Sequence, residues 1–114
     1  MIHEFDCQIY PRKLWVSIGT EELKDFDNLP EFEEADEAIV DETFNTKTNE
    51  GGIILRFKDL KTMTTPIIAH ESSHVAMFIY DYIGASVDLY NQEPFAYLVE
   101  WIAKCCETVL NKEK

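Results

Sequence analysis

The hydropathy pattern predicts an α+β domain: an antiparallel sheet of about four strands at the N-terminus, followed by two helices. Three observations carry this. The first half of the chain holds short runs of β-branched and aromatic residues separated by turn signals. After Lys58 the apolar period changes from strand-like to helical. A chain of 114 residues has room for one hydrophobic core, so residues 1–114 form a single domain.

Residues 2–10 and 13–18 are rich in Ile, Phe, Tyr, Trp and Val, and Pro11 separates them, which predicts a hairpin turning near Pro11-Arg12. Residues 20–37 are the most acidic stretch, with Asn28-Leu29-Pro30 as a turn and room for a helical turn between Glu21 and Phe26. Ile39–Lys47 and Ile53–Lys58 read as a second hairpin, with Asn49-Glu50-Gly51-Gly52 between them and the glycines free to take positive φ. Thr65 followed by Pro66 is an N-cap with a first-turn proline, and Gly84 is a C-terminal stop, which bounds the first helix. The second helix starts near Asn91, admits Pro94 in its first turn and runs to about Asn111. Its core stripe is Phe95, Leu98, Val99, Ile102, Cys105, Cys106 and Val109. In the first helix Ile67, Val75, Phe78, Ile79, Tyr82 and Ile83 form the apolar stripe, with the histidines at its margin.

Composition excludes several function classes. With 22 carboxylates against 10 Lys and Arg, the net charge of −12 offers no basic footprint for nucleic acid or an anionic membrane. It favours cations or basic partners. The three cysteines, Cys7, Cys105 and Cys106, are odd in number and contain no CxxC pair, so free thiols and a cytoplasmic setting are expected. The opening residues carry no basic, apolar leader pattern, and no apolar stretch reaches membrane-spanning length. A frame this small carries only a shallow site, part of which a second copy or partner would supply; a homodimer is left open.

The residues that carry chemistry are His70-Glu71-Ser72-Ser73-His74. In a helix His70 and His74 lie one turn and about 40° apart, so both imidazoles reach one metal ion. Glu71 lies about 100° round from His70, too far to be a third ligand of similar reach but placed to hold a water and take its proton. Two ligands and a general base from one helix are the mechanical content of the H-E-x-x-H pattern, and zinc is the expected ion. The match sits in a well-capped amphipathic helix and uses two of only three histidines. Asp81 shares the histidine azimuth two turns on, either as an acceptor for an imidazole N–H or as a solvated carboxylate.

A catalytic zinc takes three protein ligands. Glu93 opens the second helix nineteen residues after His74. Over residues 65–105 the chain here resembles the gluzincins, zinc peptidases whose third ligand is a glutamate on the helix after HExxH, and in particular their very small phage- or mobile-element-type relatives. The resemblance implies His70, His74 and Glu93 as zinc ligands, Glu71 as general base and a peptide or protein as substrate. It departs from the family at Tyr97, where an aspartate often stands four residues after the glutamate. Glu100 shares the Glu93 azimuth and is the rival ligand. Tyr97, Tyr90 and His3 are candidates for stabilising an oxyanion, Tyr97 equally as an aromatic covering the core edge. Related zincins hold substrate along an edge strand, for which residues 53–58 are the candidate because they precede the helix directly.

The competing class is an acidic, non-catalytic interaction protein, a nucleic-acid mimic or an inhibitor of a basic partner, with structural zinc or none. The net charge and the acidic run from Glu31 to Glu37 support it. A third reading is a former enzyme that keeps metal without turnover.

Overall fold

The structure is a computed structural model and describes residues 1–114. Four strands, β1 (Ile2–Asp6), β2 (Lys13–Ile18), β3 (Ala38–Asn45) and β4 (Glu50–Phe57), precede helices α1 (Thr65–Tyr82) and α2 (Glu93–Glu113). This is the expected α+β arrangement. The sheet order is β1-β2-β4-β3. Both expected hairpins form, β1 with β2 and β3 with β4, each antiparallel, but the first turns over residues 7–12, since β1 ends at Asp6 and not at residue 10.

One pairing departs from the expected all-antiparallel sheet: β2 and β4 run parallel, from Lys13 opposite Gly52 to Ile18 opposite Phe57. The sheet is therefore mixed. The physical reason is which edge of the second hairpin docks. The chain leaves β2 at Ile18, crosses to the outer position as β3, and returns as β4 into the gap. A Cβ on Gly52 would stand 2.2 Å from the Lys13 carbonyl oxygen, so the β2–β4 approach requires glycine there. Glu50, Gly51 and Gly52 are thus strand residues, and the positive φ of the turn falls on Asn49, at 64°.

β4 is buried on both faces: Ile53, Ile54, Leu55, Arg56 and Phe57 are all inaccessible or nearly so. On one face Leu14, Val16, Ile53, Leu55 and Phe57 meet α1 and α2. On the other, residues 19–37 form an irregular cover without the helical turn considered for Glu21–Phe26. That cover is pinned by Trp15 edge-on to Phe26 with centroids 4.9 Å apart, by Arg56 Nη1 donating to the Pro30 carbonyl at 2.6 Å, and by Thr43 Oγ1 donating to the Asp27 carbonyl at 2.9 Å.

α1 starts one residue earlier than the cap expected at Thr65. Thr64 is the N-cap, its Oγ1 accepting from the Ile67 N–H at 3.5 Å, and Pro66 sits in the first turn, where its missing N–H costs nothing. Gly84, with φ of 73°, stops the helix as expected. The helices form an antiparallel pair: Tyr80 packs edge-on to Phe95 with centroids 5.1 Å apart, and Ser72 faces Cys106. No helix is long and apolar enough to cross a membrane.

Candidate metal centre

The buried side of α1 is Ser72, Val75, Ala76, Ile79 and Tyr80. That line is rotated from the expected stripe: Tyr82 and Ile83 are exposed, while two small residues, Ser72 and Ala76, lie against the core. Close approach of α2 explains the rotation, because small side chains let helix axes come together. Ser72 and Ala76 lie about 160° round the helix from His74. His70 and His74 therefore occupy the solvent face, not the core margin, and the His70 side chain is 68% exposed.

On that face the two imidazoles converge. Their Nε2 atoms are 3.2 Å apart. A tetrahedral zinc at 2.0–2.1 Å from each nitrogen requires about 3.3 Å between them. The same contact also accommodates one Nε2–H donating to the other ring. Neither Nδ1 has a side-chain acceptor, and Asp81, exposed on the same azimuth, makes no hydrogen bond to either ring.

Glu71 is the buried member of the trio. Its side chain is only 12% exposed, and Oε1 lies 4.0 Å from His70 Nε2. Burial raises its pKa above the usual glutamate range, against the opposing pull of His70 and His74. A carboxyl held half out of water beside two metal-favouring nitrogens has the properties of a proton acceptor.

The remaining expected residues lie elsewhere. Glu93 opens α2 in an exposed position, two residues before Phe95, which is anchored against Tyr80; Tyr80 lies about 9 Å along α1 from His74 at about 1.5 Å per residue. No third His, Cys, Asp or Glu joins the pair within coordinating reach. Glu100 is exposed on α2 and pairs with Lys104 at 3.6 Å. Tyr97 lines a cavity of about 320 Å³ with Cys7, Gln8, Ile9 and Trp101, on the β1–β2 side of α2 and away from the histidines. His3 lies on the edge strand β1, 3.5 Å from Glu113 at the far end of α2. Tyr90 is fully exposed in the α1–α2 connection. Only His70, Glu71 and His74 are brought together.

The edge strand beside α1 is β3. The expected candidate, residues 53–58, is the central strand β4, paired on both sides. β3 packs under α1 and exposes one edge; loop residues 25–27 cover that edge only near Phe44 and Asn45. The unbroken apolar run Ile53-Ile54-Leu55 was the signal that β4 lies inside the sheet.

No protein-family model, curated protein or solved structure matches the chain.

Proposed function

We propose that the chain is a zinc-dependent hydrolase acting on peptides, with His70 and His74 as ligands, Glu71 as general base and Glu93 as third ligand. One observation carries this reading: two Nε2 atoms 3.2 Å apart, the bite of a tetrahedral metal, with a half-buried carboxylate 4.0 Å from one of them. When bound, zinc supplies a Lewis acid that polarises a carbonyl and acidifies water. Glu71 takes the proton of the attacking water and returns it to the leaving amine. Glu93 joins the pair through a shift of the first turn of α2. That turn has no side-chain cap, and the shift takes Phe95 off its contact with Tyr80. A peptide adds to the outer edge of β3 between Ala38 and Thr43, where the backbone groups pointing away from β4 make no other hydrogen bond.

The test is Glu71→Gln, which keeps side-chain size and both histidines. Zinc stoichiometry stays at wild type while hydrolysis of a peptide library falls by roughly 10²–10⁴-fold. Loss of zinc in this variant would make Glu71 a ligand or a support and overturn the mechanism.

A second reading, a non-catalytic acidic binding protein with or without zinc, is favoured by the openness of the site, where the His70 side chain is 68% exposed. Wild-type protein that holds zinc yet cleaves nothing in the same screen would select it.

A further inference from the structure

Exposed apolar side chains are concentrated at one end of the molecule. Of the eleven large apolar residues that stand exposed, seven fall between Met77 and Tyr97, at the end of α1, in the α1–α2 connection and in the first turns of α2. The connection is ordered so as to present two of them. Asp88 Oδ1 accepts from the Tyr90 N–H at 2.9 Å, the Asp88 carbonyl accepts from the Asn91 N–H at 3.2 Å, and Gln92 Nε2 donates to the Leu89 carbonyl at 2.9 Å. In the resulting turn Leu89 is 73% exposed and Tyr90 is completely exposed. Beside it, Ile9 stands 84% exposed at the lip of the mostly apolar cavity that Tyr97 and Trp101 line. Large apolar side chains held in water by an ordered turn mark a surface that is covered when the protein works.

Charge identifies the partner. Between Lys61 and Lys104 the chain has no Lys or Arg, while Glu71, Asp81, Asp88, Glu93 and Glu100 fall in that span. The surface is acidic on balance: Asp81, Asp88 and Glu93 stand against Arg12, whose guanidinium lies 3.9 Å from the Tyr82 ring centroid. A net charge of −12 opposes a second copy of this chain and equally an anionic lipid surface. The acidic surface is complementary to apolar side chains flanked by Lys and Arg.

We propose that this end of the helical pair, from Asp81 through Leu89 and Tyr90 to Ile9 and Tyr97, is a docking surface for a basic amphipathic segment of a partner protein. Apolar side chains of that segment seat against Leu89, Tyr90 and the cavity mouth, and its cations face Asp81 and Asp88. The inference goes beyond the hydrolase reading, since it needs neither zinc nor turnover. If both hold, the docked segment belongs to the substrate.

The experiment is a binding titration of the full chain, with added zinc and with chelator, against three synthetic peptides at helical spacing: lysine with leucine, glutamate with leucine, and lysine with serine. The lysine–leucine peptide binds, and binds about tenfold or more tightly than either counterpart, in both metal conditions. The double variant Leu89→Ser and Tyr90→Ser weakens it by about tenfold, and Asp81→Lys by about fivefold. Removing charge on the other side of the molecule, by Glu31→Gln, Glu33→Gln and Glu34→Gln, leaves it unchanged. All these side chains are exposed, so the variants keep the fold, and thermal unfolding checks it. Equal binding of the glutamate peptide, equal loss in the Glu31/Glu33/Glu34 variant, or no binding at all overturns the proposal. So does wild-type self-association that the Leu89/Tyr90 variant abolishes, which would make the partner a second copy. Because the readout is the same with chelator, failure here leaves the zinc reading standing, and loss of the zinc reading leaves this one standing.

Discussion

The chain holds two sets of side chains that favour transition metals, and the fold treats them oppositely. His70 and His74 project from the solvent face of α1 with their Nε2 atoms in mutual contact. Cys7, Cys105 and Cys106, softer and potentially stronger ligands, are buried where β1 leads into β2 and where α2 meets α1. Burial pushes all three thiols up to about 12, with Asp6 adding to the effect at Cys7. A thiol that does not ionise is a small apolar residue. Access and convergence, not ligand softness, decide which set is available to a cation.

Several experiments break or sharpen that contrast. The largest effect is expected in thiol reactivity. A rise from 9.0 to about 12 lowers the thiolate fraction at mildly alkaline pH about a thousandfold, so the folded protein reacts with an aromatic disulfide that much more slowly than the denatured chain. Reactivity returns only as the pH climbs towards the raised values, and denaturation releases three free thiols. Rates in the folded state close to the denatured ones would remove the distinction between the two sets.

Next in size is the loss of either imidazole. His70→Ala or His74→Ala weakens zinc binding by more than the roughly 10–100-fold that supporting residues contribute. Equilibrium dialysis at neutral pH reads this, and a wild-type chain binding no zinc above background would mean that the 3.2 Å contact is only a histidine–histidine hydrogen bond.

A smaller change, about tenfold in zinc affinity, is expected for Glu93→Ala, with Glu100→Ala close to wild type because Glu100 pairs with Lys104. The reverse order would move the third-ligand role to Glu100. The smallest effect tests the thiols as core residues: Cys105→Ala and Cys106→Ala each lower stability by about 1 kcal/mol and leave zinc stoichiometry unchanged. Zinc lost in step with either thiol would make that cysteine a ligand.

Much of this architecture is legible residue by residue. Pro66 and Gly84 bound α1 because ring closure and a positive φ are local facts. The stripe of α2 runs as its periodicity indicates, with Leu98, Ile102, Cys105, Cys106 and Val109 buried. The stripe of α1 is harder to read because apolar residues lie nearly all round it. Which side turns inward then depends on where α2 comes closest, and that falls on Ser72 and Ala76, whose small side chains give no hydropathy signal. The same rotation carries His70 and His74 out to solvent.

The sequence by itself determined the elements, their order and the His70–His74 convergence, because each follows from backbone preferences and a spacing within one helix turn. Only the tertiary structure decided the parallel β2–β4 pairing, the placement of β3 at the edge, the burial of Glu71, and the separation of Tyr97 and His3 from the histidines. Those features depend on which surfaces meet across long stretches of chain. Contacts of that kind are settled by close approach at a few positions, Gly52 against Lys13 and Ser72 against Cys106 among them, that no local pattern marks.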